Sequence, residues 1–151
     1  MSELRDLYQE VILDHYKRPR NRVVLQDPTC SADGHNRLCG DQIHISAKVH
    51  DGRIEEVTFQ GSGCAIATAS ASLMTEALKG RTVEEAQALF QRFHDVVTGP
   101  PHQAAPDDPE LGKLAVLAGV REFPVRVKCA TLAWHTFLAA LKNEHGNVST
   151  E

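Results

Sequence analysis

Apolar and polar positions change their spacing along the chain, and the spacing predicts the elements. From Glu3 to Tyr16, Leu4, Leu7, Tyr8, Val11 and Ile12 recur at three- and four-residue intervals while Asp6, Glu10 and Asp14 take the other side. This is the pattern of an amphipathic helix, which Pro19 stops. In "QIHISAKVH" (42–50) the period falls to two: Ile43, Ile45, Ala47 and Val49 alternate with polar neighbours, and beyond Asp51-Gly52 Val57 and Phe59 carry a second run. Asp-Gly between alternating runs predicts an antiparallel hairpin, because a type I′ turn needs positive φ at both central residues. Ile54 is out of phase with Val57, which points to a bulge or a late strand start, and "RVVLQ" (22–26) is the candidate third strand.

The rest of the chain reads as helical. "CAIATASASLMTEALKG" (64–80) is a run of small residues ending in larger apolar ones before Gly80, with Cys64 in its first turn. Thr82 and Glu85 have the spacing of a capping box ahead of "VEEAQALFQRF". The proline-rich stretch from Phe93 to Pro109 is expected to be a loop, followed by a short helix with Asp108 as N-cap, Pro109 at its first position and Gly119 at its close. A last helix, "CATLAWHTFLAALKN", is expected to open at Cys129, and the tail 144–151 to fray. A helix, then strands, then helices predicts an α+β fold, a small three-stranded antiparallel sheet with helices on one face. At 151 residues the chain fits a single domain, 1–151.

Composition narrows the functional classes. A formal charge of −4 gives no basic footprint for nucleic acid. No apolar run approaches the roughly 20 residues of a membrane span, and "MSELRDLYQE" lacks the charged-then-apolar order of a signal peptide, so the expected compartment is the cytoplasm.

In that compartment the four cysteines, Cys30, Cys39, Cys64 and Cys129, point away from disulfides and toward metal binding or catalysis. None is paired in a C-x-x-C, so a shared site has to be assembled by the fold. Cys64 and Cys129 are both expected at helix N-termini, where unsatisfied N–H groups and the helix dipole favour a thiolate. Cys39 and Asp41 lie in a glycine-containing turn before the hairpin. Three sulfurs and one carboxylate make a donor set that tetrahedral zinc accepts. Each cysteine alone reads as a small buried hydrophobe, the commoner state of a free thiol. His15, His44, His94 and His135 are each expected to be ordinary surface or core residues, since the set has four ligands without them.

The segments "CGDQI", "GSGCAIATASASLM" and "RVKCATLAW", in this order, resemble the IscU/SufU family of iron–sulfur cluster assembly proteins, a likeness running from Leu4 to Leu141. The resemblance implies that Cys39, Asp41, Cys64 and Cys129 hold zinc (Zn2+) or support a transient iron–sulfur cluster. Only Cys39 is followed by Gly-Asp, so Cys30 is left out of the set. Lys128, where scaffold-type members typically carry a histidine, and the stretch from "FHDVVTG" to "LGKLAVLAGVREFP" place the likeness on the SufU side. The implied function is zinc-dependent sulfur transfer, a sulfurtransferase that accepts persulfide sulfur from a SufS-type cysteine desulfurase and serves downstream iron–sulfur assembly proteins. The alternative is a scaffold for [2Fe–2S] or [4Fe–4S] clusters. Cys39 is the expected acceptor because it sits in a turn, released when a group of the desulfurase takes its place on the ion. Arg126 and Lys128, two residues apart, are supporting cations that would share one side of the segment if it is extended.

Overall fold

The computed structural model describes residues 2–101, 103, 108–142 and 147–149. Nine elements follow in order: α1 (Ser2–Lys17), β1 (Cys30–Asn36), β2 (Asp41–His50), β3 (Arg53–Ser62), α2 (Ala65–Leu78), α3 (Val83–Val97), a kinked 3-10 segment (Pro109–Glu122), α4 (Pro124–Leu141) and β4 (Asn147–Ser149).

The hairpin forms as its pattern predicts. β2 and β3 pair antiparallel around Asp51-Gly52, whose φ angles are 51° and 75°. Lys48 pairs with Glu56 but Val49 pairs with Ile54, which leaves Glu55 as the extra residue of a bulge. The bulge resets the alternation, so Ile54 and Val57 both face the core at 0% and 1% exposure. The third strand is not 22–26 but Cys30–Asn36, antiparallel to β2. The valines of 22–26 are exposed instead, and Asn21 and Arg22 bond to the outer edge of β3 at Phe59 N–H and Gly61 C=O. Strand β1 was hidden from a hydrophobicity reading because its inward positions are Ala32, Gly34 and Asn36, small or polar residues that carry no apolar period. Of the stretch expected to fray, Asn147–Ser149 pair parallel with β1 and extend the sheet to the order β3-β2-β1-β4, while 144–146, 150 and 151 lie outside the described residues.

α4 lies across β1 and β2, α2 beside it on β3, and α1 on α2. Close approach is what the small residues allow. A Cβ on Gly34 would overlap Thr136 Oγ1, so only glycine lets α4 sit on β1 here. In α2, Ala67, Ala69, Ser70, Ala71 and Ser72 are all buried, and Ser70 Oγ donates to Ala130 C=O of α4 at 2.5 Å. On α1, Tyr8, Val11 and Ile12 pack on the core, but Leu7 is 53% exposed; the side chains of Leu4 and Asp6 lie outside those described. In its last turn His15, 1% exposed, is bonded through Nδ1 to Ser72 Oγ at 2.7 Å.

Three boundaries differ from expectation. The Thr82–Glu85 capping box starts α3, but the helix runs on through His94, Asp95, Val96 and Val97, since the last two are apolar and bury. Buried Arg121 fastens that end, donating to Val96 C=O and, at 3.3 Å, to Gln103 C=O. Asp108 and Pro109 start the 3-10 segment, which kinks at Gly112 (φ 53°) and passes Gly119 to end at Glu122. α4 begins at Pro124, five residues before Cys129. No described helix is long and apolar enough to cross a membrane.

Candidate metal centre

At one end of the sheet, β1 and β2 join through the turn Arg37–Gly40. Asn36, the last residue of β1, builds it. Its backbone C=O accepts from Cys39 N–H at 3.3 Å and its Oδ1 from Leu38 N–H at 3.1 Å. Gly40, at φ 71°, closes the turn in the left-handed region that glycine enters without strain. The chain then enters β2 at Asp41, which pairs with Asn36 and is only 1% exposed.

A buried carboxylate needs donors. Asp41 Oδ1 accepts the Cys64 N–H at 2.8 Å, and Oδ2 lies 4.0 Å from Cys64 Sγ. Gly63 makes room: a Cβ there would stand 2.8 Å from Asp41 Oδ1. Cys64 is the N-cap of α2, its Sγ taking the Ala67 N–H at 3.4 Å. From the other side α4 brings Cys129, 1% exposed, whose thiol donates to Cys39 Sγ at 3.0 Å. Asn36 Nδ2 in turn donates to Cys129 Sγ at 3.8 Å.

Ligand atoms of Cys39, Asp41 and Cys129 all lie within 4.8 Å of one another, the one such group of His, Cys, Asp and Glu among the described residues, and Cys64 stands beside it against Asp41. Tetrahedral zinc with Zn–S bonds of about 2.3 Å sets its ligand atoms roughly 3.5 Å apart. The donor chemistry therefore suits that ion, and Cys39, Asp41 and Cys129 are close enough to share it.

Cys64 and Cys129 are not equivalent. The neighbouring Cys129 side chain and the N–H groups of Ala67 and Ile66 bring the Cys64 thiol down to about 7, against burial and the Asp41 charge. Cys129 is pushed up, first by its partner Cys64 and then by burial. The expectation that Cys129 opens the helix is overturned: α4 starts at Pro124, so Cys129 sits in the second turn, past the unsatisfied N–H groups.

Arg126 and Lys128 are also in α4, not in an extended segment, and two residues apart on a helix do not share a side. Arg126 is exposed with its guanidinium over the Phe123 ring, 4.4 Å from the centroid. Among the histidines, His44 bonds Asp33 at 2.8 Å, and His94 and His135 flank Phe90; neither they nor His15 join the thiols. Cys30 is half-buried at the far end of β1, its thiol pushed up by burial. Sequence reasoning missed Asn36 and Gly63. An Asn three residues before Cys-Gly-Asp was the available signal, since Asn at the head of a turn bonds the backbone two residues on.

A family model described as the NifU-like N-terminal domain matches residues 7–143. The chain belongs to that family. Among its NifU-like relatives, the zinc-dependent sulfurtransferase SufU of Bacillus subtilis (strain 168) is 41% identical over 145 residues, 96% of each chain. The iron–sulfur cluster assembly scaffold protein IscU of Streptococcus pyogenes serotype M1 is 43% identical over 142 residues, covering 94% of this chain and 87% of that one. The crystal structure of an iron–sulfur cluster assembly scaffold protein for the SUF system (FiSufU) from thermophilic Fervidobacterium islandicum AW-1 superposes with a TM-score of 0.80 at 30% identity, over 87% of this chain and 94% of that one. The likeness to SufU and IscU expected from the three cysteine segments holds, as does the α+β fold.

Proposed function

We propose that this protein is a zinc-dependent sulfur-transfer protein of iron–sulfur cluster biogenesis, with Cys39, Asp41, Cys64 and Cys129 as the zinc ligands and Cys39 as the sulfur acceptor. The observation that carries the reading is the convergence of three thiols and one buried carboxylate from three separate segments at one end of the sheet. A relative named a zinc-dependent sulfurtransferase, matched over 96% of both chains, supports it. Bound zinc supplies the positive charge that keeps cysteines deprotonated at neutral pH.

Cys39 is the acceptor because its surroundings let it meet a partner. It is half-buried on a turn whose Leu38 is 66% exposed, whereas Cys129 is buried within α4 and Cys64 is locked to the first turn of α2. In the transfer, the Cys39 thiolate attacks the outer sulfur of a persulfide on a cysteine desulfurase. A new S–S bond forms on Cys39, the partner's S–S bond breaks, and the partner's cysteine leaves as thiolate with the electron pair. Arg126, exposed on α4 three residues before Cys129, is a cation for an acidic partner surface, and Lys128 precedes the ligand Cys129. Downstream iron–sulfur assembly proteins receive the sulfur, and the reducing cytoplasm is the compartment where such thiols persist.

Metal analysis of the purified protein, followed by turnover of the desulfurase with and without it, tests the reading. One zinc per chain with strong activation is expected. Retained iron and sulfide with a visible absorption band would favour the scaffold reading that the IscU relatives represent. Cys39→Ser is expected to keep the fold and abolish uptake of labelled sulfur; label persisting on that variant excludes Cys39 as acceptor.

A further inference from the structure

Asn36 is fully buried, with 0% exposure, yet neither end of its amide is idle. Leu38 N–H can only donate, so the group 3.1 Å from it is the amide oxygen. That orients the amide. The nitrogen must then point the other way, where it meets Cys129 Sγ at 3.8 Å. One side chain thereby joins the Cys39 turn to the sulfur that comes from α4.

The three sulfurs differ in this support. Cys64 takes the Ala67 N–H of α2 and Cys129 takes the Asn36 amide. The described contact of Cys39 Sγ is the thiol of Cys129. An N–H donated to a thiolate draws electron density from it and holds it in place, so a ligand with such a donor stays put more readily than one without.

We propose that Asn36 is a positioning residue of the centre: its amide N–H holds the Cys129 sulfur in place while its carbonyl shapes the Cys39 turn, so that Cys39 is the sulfur left to react. This inference rests on the zinc centre proposed above.

Two variants separate the two ends of the amide. Asn36→Asp and Asn36→Ser each keep an oxygen for Leu38 N–H and lose the N–H to Cys129; Ser adds no charge. Zinc affinity, measured by competition with a chromophoric chelator, is expected to fall about 10- to 100-fold in both, the usual cost of losing a partner that orients a ligand. In the cobalt-substituted proteins the sulfur-to-metal charge-transfer band is expected to move to lower energy, because a thiolate without its donor is more easily oxidised. A turn-only role would leave that band where it is. Both variants matching the parent in affinity and band position, with unchanged melting curves, would overturn the inference. If Asn36→Asp does not fold, Asn36→Ser decides alone. If Ser does not fold, Asn36→Asp decides by the band. If neither variant folds, the side chain is needed for folding and the positioning role is overturned. A parent protein that binds neither metal refutes the zinc centre itself.

Discussion

The two turns of the β1-β2-β3 meander lie at opposite ends of the sheet and are secured in opposite ways. The Asp51-Gly52 turn is clamped from outside. Val83 N–H donates to Gly52 C=O, Ile54 N–H to Arg81 C=O and Gly80 N–H to Ile54 C=O, each at 2.8 Å, so the α2–α3 connection is bonded to the base of the hairpin. The Arg37–Gly40 turn is secured from within, by Asn36 and by the thiols it brings together. Backbone clamping makes an end of a sheet rigid whatever else binds there. An end fastened through side chains and thiols can change its fastenings, which is what the acceptor role proposed for Cys39 requires. The proposed zinc ligands therefore lie at the end that side chains help to fasten.

Substitutions at each end sharpen this contrast. The largest effect is expected from Gly63→Ala, whose Cβ would press on Asp41 Oδ1 at 2.8 Å. Displacing that carboxylate is expected to weaken zinc binding about 10- to 100-fold in chelator competition, with thermal unfolding little changed. At the clamped end Gly52→Ala meets nothing within 4 Å but forces a φ of 75° on alanine. A loss of about 1–2 kcal/mol in denaturant unfolding is expected, with zinc affinity unchanged. Thr82→Ala removes the cap whose hydroxyl accepts Glu85 N–H at 3.1 Å, and about 1 kcal/mol of stability should go with it. Zinc binding altered by either of these two would show that the ends are coupled and break the comparison.

The smallest effect concerns a third fastening, α1 onto α2. Burial, then Arg20, lowers the pKa of His15 from its ordinary 6.5; Lys113 adds to this, while Glu76 and Asp14 oppose it. The fold thus favours neutral His15. Its contribution is fully present above pH 6.5 and is lost as the pH falls from there toward the lowered folded value, because the unfolded chain takes up the proton first. His15→Gln is expected to flatten the decline of melting temperature between pH 7 and 5; an unchanged slope would assign the acid sensitivity to other groups.

Elements whose cause is local were legible in the chain. The hairpin follows from alternation and Asp-Gly, α3 from its capping box, and α2 from small residues closed by Gly80. Cys64 at a helix start could be read the same way, and its lowered thiol agrees. Strand β1 could not, because Ala32, Gly34 and Asn36 face inward for reasons of fit to α4, which no period records. Nor could the setting of Cys129. Pro124 starts α4 five residues early, which moves that cysteine from a helix end into the second turn, past the unsatisfied N–H groups, where Cys64 and burial push its thiol up.

By itself, then, the sequence determined which residue types are available for chemistry and most of the elements that carry them, since turn torsions, caps and periodicity act over a few neighbouring residues. Only the tertiary structure decided that Cys39, Asp41 and Cys129 meet with Cys64 beside them, and that Asn36 spans the turn and α4. Those outcomes depend on distances between segments up to 93 residues apart, and such distances are set by how closely helices and strands pack.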